Sequence, residues 1–250
     1  MKALKLLYRM YIVLRPQYGW NVFAILYNMV RFTGEYVRYK NAPHNPAFSV
    51  SVFEWYPCLT DKTASTPLDP VYFYQDAWAA GKIFRNRPAH HYDVGSSAKT
   101  VGIISQFVPT TMVDIRPVEL RLDGLSFTEG SILALPFADG TIESISSICV
   151  VEHIGLGRYG DPIDPYGSEK AVRELVRVAR PGGSIYFTVP VESANRVYFN
   201  GYRSFTRDTI IGLFEGCTLV EERYIYGKDL VERHRPESDA GIGLFMFTKR

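Results

Sequence analysis

The side chains best suited to acid–base work fall in one short span. Glu152 and His153 are adjacent, and Asp161 and Asp164 follow in a glycine- and proline-rich loop over 155–167. An imidazole titrates near neutrality and takes a proton from a hydroxyl within reach. His153 therefore reads either as a general base or as a histidine bonded to its own loop. Glu152 reads as its orienting partner or as a cap on the next turn, and Asp161 as a further acid–base candidate. The four groups together can also hold a cation; carboxylates are common in loops, and no metal is expected. The same loop carries Arg158, suited to a phosphate or carboxylate, and Tyr159 and Tyr166, suited to stack on a sugar ring. The bland alternative is a solvated loop. Over 200–207, Tyr202 and Arg203 can contact an acceptor or lock that segment to the helix after it.

A second constellation lies upstream. Asp93, Gly95, Ser96 and Ser97 close a short apolar run, and Asp114 ends another apolar run nineteen positions after Gly95. A helix-like stretch, 98–107, lies between. Strand, tight turn, helix, strand and acid is the grammar of a nucleoside- or dinucleotide-binding βαβ unit. Glycine lets the backbone turn sharply against a ligand, and the acid is placed to accept from ribose hydroxyls. Of His90 and His91, on the first run, one is expected to face the sheet interior as a core histidine.

The elements that must position these residues follow from periodicity. Strands are expected to end at 94 and 114, then to run near 126–129, 142–149, 184–189, 218–226 and 243–248. Helices are expected at 98–107, 168–180 (stopped by Arg180-Pro181-Gly182-Gly183) and 207–215, the last capped by Thr206 or Asp208. Strands alternating with helices imply a mostly parallel sheet. The last two strands have no helix between them, which implies a closing hairpin with the final strand antiparallel. The expected fold is α/β and Rossmann-like. Residues 1–87 form a helical extension, ending in a helix over 72–84 placed to cover the cleft; residues 88–250 form the ligand-binding domain.

The totals bound the answer. Of 250 residues, 46% are apolar and 22% charged, ordinary for a folded globular chain. The net charge of +2 argues against a nucleic-acid partner. Residues 1–40 hold seven Lys or Arg and one Glu, so +6, leaving −4 on the rest. Their aromatic, basic helical pattern reads as a peripheral membrane contact or as a packing surface. The longest apolar run, 18–30, is too short to span a bilayer, and no secretory signal is expected. Three scattered cysteines suit a reducing, cytoplasmic compartment.

The series Asp93-Val94-Gly95-Ser96-Ser97, Val113-Asp114-Ile115-Arg116, Gly130-Ser131-Ile132-Leu133, Val150-Val151-Glu152-His153 and Arg180-Pro181-Gly182-Gly183 resembles the class I S-adenosylmethionine-dependent methyltransferases, over roughly 88–250. Tyr56-Pro57-Cys58-Leu59, Tyr74-Gln75-Asp76-Ala77-Trp78 and His153-Ile154-Gly155-Leu156-Gly157-Arg158-Tyr159-Gly160-Asp161 resemble a branch of that superfamily, a DUF268-like family of predicted methyltransferases. Some of its members occur among surface-polysaccharide genes. The resemblance implies S-adenosylmethionine as cofactor. Asp93 and Gly95 to Ser97 would then face the methionine, Asp114 the ribose and Ile115, Ser131 and Ile132 the adenine, with Cys149 near the sulfonium. It also implies O-methylation of a small-molecule or glycan acceptor, a carbohydrate or glycolipid intermediate of polysaccharide synthesis, at the inner face of the membrane. Two positions depart from the superfamily pattern. Ser97 and Lys99 stand where later glycines are usual, and Ser131 stands where an aspartate is. Two rivals remain: a non-catalytic nucleoside-binding scaffold, and a nicotinamide or nucleotide-sugar enzyme, against which the missing G-x-G-x-x-G argues.

Overall fold

The computed structural model describes residues 22–238 and 240–250. The chain divides between Pro67 and Leu68 into two compact units.

In the first unit, helix α1 (Val22–Asn41) buries none of its residues and exposes Phe23, Leu26, Tyr27 and Val30. Trp55 sets its ring edge-on to Phe32 and Tyr36, with centroids 5.2 and 5.1 Å away. Lys62 reaches Glu35 at 3.0 Å. The basic stretch before residue 22 lies outside the described residues. Among those described, no helix is long and apolar enough to cross a membrane.

The second unit is one eight-stranded sheet with helices on both faces. Its strands are β1 (His91–Val94), β2 (Thr110–Asp114), β3 (Leu125–Glu129), β4 (Ile142–Ile148), β5 (Ala179–Val191), β8 (Cys217–Tyr226), β9 (Asp229–Val231) and β10 (Gly241–Lys249). Their spatial order is β3-β2-β1-β4-β5-β10-β8-β9. Strands β1 to β5 pair in parallel, whereas β10 runs antiparallel to both β5 and β8. The expected Rossmann-like sheet with an antiparallel final strand is thus observed. Strand order reverses between β1 and β4, which brings the ends of β1, β2 and β4 to one crevice.

Helix α2 (Pro70–Asn86) starts where Asp69 accepts from the Val71 amide at 2.9 Å, with proline at its first position. Gln75, Trp78, Ala79 and Ile83 recur at helical spacing and are buried. Trp78, Ala79 and Ile83 join Ile104, Ile148, Tyr186, Leu244 and Met246 on one face of the sheet. Burial of each such large apolar side chain contributes about 1.5–3 kcal/mol. Trp78 also donates to Glu221 at 3.2 Å, and Lys82 pairs with the same carboxylate. On the opposite face, α4 (Gly167–Val178) buries Ala171, Val172, Leu175 and Val178. Helix α5 (Arg207–Leu213) begins at Thr206, whose hydroxyl accepts from the Thr209 amide.

Several local expectations shift. Helix α3 (Ala98–Ile104) stops short of 107, where the Ser105 hydroxyl bonds the Gly102 carbonyl. Strand β5 takes in the Arg180-Pro181-Gly182-Gly183 turn; a Cβ at Gly183 would sit 2.8 Å from the Ile142 carbonyl. A small hairpin, β6 (Arg196–Tyr198) with β7 (Tyr202–Ser204), replaces an expected loop. His234 is half-buried with its ring 5.1 Å from Tyr224.

His91 is a core histidine. Its ring nitrogens meet the Ser144 and Ser146 hydroxyls at 2.8 and 3.0 Å, and burial lowers its pKa to about 3, so it stays neutral.

Candidate functional site

At the tip of β1 the chain turns through Gly95 at φ 74°. A Cβ there would lie 2.9 Å from a Val150 methyl, so the position needs glycine on both counts. Below the turn, the buried Asp93 carboxylate accepts from the Ser96 amide (3.0 Å), the Ser96 hydroxyl (2.7 Å) and the Ser146 hydroxyl. Burial raises its pKa to about 6 against those bonds. The Ser96 hydroxyl also accepts from the Ile148 amide at 2.9 Å. Asp93 and the Ser96 side chain are thus spent on holding the turn against β4. Ser96 still borders the cavity above, whereas Asp93 does not.

One residue past the tip of β2, the backbone folds over Asp114. One carboxylate oxygen accepts from the Arg116 amide at 2.8 Å, with the Arg116 Nε 3.4 Å away. Asp114, Ile115, Ser131, Ile132, Cys149 and Gly95 share a cleft of about 120 Å³. Its floor is apolar, with Ile132 buried, while Ile115 is exposed at the rim. The Ser131 hydroxyl is taken up by the Leu133 amide at 3.2 Å.

A larger cavity, about 900 Å³, shares Gly95, Asp114, Arg116, Cys149, His153 and Tyr159 with that cleft. Cys149 ends β4 at φ 52°, a strained value for a residue with a side chain. Its amide donates to Thr188, and its thiol lies 3.0 Å from the Gln75 carbonyl oxygen. Burial pushes the thiol's pKa up, so it is no thiolate nucleophile. Beyond it, burial lifts Glu152 to about 8, and one of its oxygens has no hydrogen-bond partner among the described residues. At neutral pH this side chain is a carboxylic acid with a proton to donate.

The His153 ring lies perpendicular to Tyr159, centroids 5.6 Å apart, with its Nδ1 2.7 Å from the Gly201 carbonyl. A carbonyl only accepts, so Nδ1 carries the hydrogen and Nε2 keeps its lone pair. Nε2 lies 3.7 Å from Glu152 Oε1, near but beyond hydrogen-bond length. Burial lowers the His153 pKa, which favours the neutral base.

The remaining candidates separate. Asp161 accepts from the Gly155 amide (2.6 Å) and the Tyr159 amide (3.3 Å), tying the loop to itself. Asp164 pairs with Lys170 at 2.6 Å. Arg203 is buried, donating to Ile154, Asp164 and Pro165 carbonyls and to Ser168, and lines neither cavity. It takes the locking role rather than an acceptor contact. Arg158, Tyr159 and Tyr202 do border the large cavity. Among the described residues, no three His, Cys, Asp or Glu side chains converge on a metal position. Sequence reasoning missed Glu192, buried in the cavity wall past Pro190 at the end of β5. An acid just beyond a strand-ending proline was the available signal.

The strand order, with the reversed β10 between β5 and β8, defines the fold of class I S-adenosylmethionine-dependent methyltransferases. Residues 133–228 match the family described as "Caenorhabditis protein of unknown function, DUF268". No curated protein matches the chain. The 1,6-didemethyltoxoflavin-N1-methyltransferase of Burkholderia thailandensis, bound to 1,6-didemethyltoxoflavin and S-adenosylhomocysteine, aligns over 94% of this chain and 92% of its own. Its TM-score is 0.53 and its identity 14%. The N-methyltransferase NodS of Bradyrhizobium japonicum WM9, in complex with S-adenosylhomocysteine, aligns over 72% and 88% at 0.52 and 16%. The [4+2]-cyclase SpnF aligns over 70% and 80% at 0.52 and 13%. At such identities the likeness defines the fold, and a cyclase among the neighbours means that the fold alone does not dictate methyl transfer.

Proposed function

We propose that this protein is an S-adenosylmethionine-dependent O-methyltransferase acting on a carbohydrate or glycolipid intermediate of surface polysaccharide synthesis. The observation that carries the reading is the pairing of the Asp114 strand tip with the Gly95 turn on a small cleft that adjoins the His153 cavity. A carboxylate at a strand tip suits ribose hydroxyls, the apolar floor at Ile132 suits a purine, and the glycine turn leaves room for backbone approach. The residues present therefore fit the cofactor. Bound there, it supplies a methyl group on a cationic sulfur.

The chain's own residues do the rest. Gly95 to Ser97, Ser131 and Ile115 border the cofactor, with Cys149 at the junction of the two spaces. Tyr202 borders the space a sugar ring would fill, and Tyr159 lines the same wall with Arg116 and Arg158 over its ring. His153 Nε2 accepts the acceptor's hydroxyl proton, and its Nδ1–H bond to Gly201 fixes the ring. Protonated Glu152 lies beside it as a donor, and Asp161 holds the loop that carries Arg158 and Tyr159. Positioning is the main demand of an in-line displacement, and a base in reach assists a hydroxyl of high pKa. The exposed apolar side chains of α1 and the basic residues before it support peripheral contact at the cytoplasmic face of a membrane. Residues 88–250 would carry the reaction, with α2 as cover.

The test is calorimetry of the full chain with S-adenosylmethionine and S-adenosylhomocysteine. Both bind wild type, and Asp114→Ala binds neither well; equal behaviour of the two proteins would remove the enzyme reading. The competing reading, a nucleoside-binding scaffold, is favoured by Ser131 and by the engaged Ser96 hydroxyl. Methyl transfer from the labelled cofactor to any glycan acceptor excludes it.

A further inference from the structure

We propose that the mouth of the large cavity is a phosphoryl site, and that the acceptor carries a phosphate or diphosphate ester. This rests on the methyltransferase reading and narrows its substrate class. Two guanidinium groups meet over one ring there: the Arg116 and Arg158 carbons lie 4.7 and 5.1 Å from the Tyr159 centroid. All three residues border the cavity, and Arg158 borders only the larger space.

Arg158 is the telling residue. Its Nη1 donates to the Gly201 carbonyl at 3.1 Å, which fixes the side chain. Among the described residues, no carboxylate lies within ion-pair distance of it, and its Nε and Nη2 have no acceptor. Among the described residues, Arg116 engages Asp114 through Nε alone, and its terminal nitrogens have no acceptor. Two forks of donors thus face one opening, held by stacking on a shared aromatic ring.

The acids in the same wall are otherwise engaged. Asp69 caps α2 through the Val71 and Tyr72 amides. Glu192 pairs with Arg196 and accepts from Tyr198. Asp114 borders both spaces and is engaged by Arg116, and the buried Glu152 holds its proton at neutral pH. What remains uncompensated at the mouth is positive and planar, with paired N–H donors. That chemistry matches phosphoryl oxygens bidentately, whereas a neutral glycan would leave the Arg158 donors unmatched. A sugar linked to a nucleoside diphosphate and a sugar linked to a lipid diphosphate present the same group.

The experiment titrates the full chain, with S-adenosylhomocysteine present, against UDP-glucose, farnesyl diphosphate, inorganic pyrophosphate and glucose. All three diphosphates are expected to bind, glucose much more weakly, with affinity falling as salt rises. Arg158→Gln is expected to weaken the diphosphates roughly 10- to 100-fold, the range of a lost charge-assisted bond. Arg158→Lys should recover part of that loss, and S-adenosylhomocysteine affinity should stay level in both. The tighter of UDP-glucose and farnesyl diphosphate names the carrier and supports the site either way. Diphosphate affinity unchanged in both Arg158→Gln and Arg116→Gln, or no diphosphate binding to wild type, overturns the proposal. Arg158-dependent pyrophosphate binding without any S-adenosylhomocysteine binding would instead strike the methyltransferase reading and leave the anion site standing.

Discussion

The two halves of the cavity are built by different means. On the β1–β2 side, the polar side chains are consumed internally: Asp93 and Ser96 bond each other, Ser146 and the Ile148 amide. What that half offers a ligand is mostly backbone, the Asp114 carboxylate and the terminal nitrogens of Arg116. On the β4–β5 side, the side chains carry unspent capacity: His153 Nε2, one Glu152 oxygen and the Arg158 donors. The first half suits one fixed ligand; the second can be re-specified by changing loop side chains without moving a strand. The DUF268 match falls on this second half, over 133–228, and leaves out both Gly95 and Asp114.

The sharpest way to break this division is at His153. His153→Ala should lower kcat by roughly 10²- to 10⁴-fold, the span of general-base effects, while S-adenosylhomocysteine affinity holds. A parallel loss of both would merge the halves. Burial lowers the His153 pKa, so the acid limb of the wild-type kcat profile should fall below the ordinary histidine value of about 6.5. Asp114→Ala does the converse, weakening S-adenosylhomocysteine on the order of 100-fold by calorimetry. Gly95→Ala places a side chain at φ 74° and against Val150. It should cost about 1–3 kcal/mol in urea unfolding and reduce cofactor affinity too. Arg203→Met removes the donor from three loop carbonyls; about 1–3 kcal/mol of stability should go, with faster amide exchange confined to 155–166.

The smallest effect concerns Glu152. Its folded pKa, about 8, lies above the ordinary 4.5. The native protein therefore keeps a proton that the unfolded chain releases, and this contribution to stability is lost as pH rises from about 4.5 through 8. Glu152→Gln cannot titrate. The wild-type Tm should fall relative to the variant's between pH 5 and 8.5; parallel curves would mean that the group ionises freely.

Much of the framework was legible because it is local. Apolar runs ending at Val94 and Asp114, and the gap between them, follow from spacing alone, and β1 and β2 end there. The missing helix before the last strand gave away the reversed β10. The site was less legible because its assignments depend on partners far along the chain. Nothing near Arg203 indicates that its guanidinium would be used up by carbonyls some 40 to 50 residues earlier. Nothing near Asp93 indicates that Ser146 would claim it. Hairpin β6–β7 has only three residues per strand, too few for alternation to register.

Strand β10 lies between β5 and β8, hydrogen-bonded along both edges. During synthesis, residues 179–191 and 217–226 leave the ribosome well before their common neighbour, so each must wait with an unpaired edge. The sheet cannot be completed from the N-terminal side inward, and its nascent form is the stage most open to mispairing. A stop codon between residues 232 and 240 would leave both edges without their shared partner.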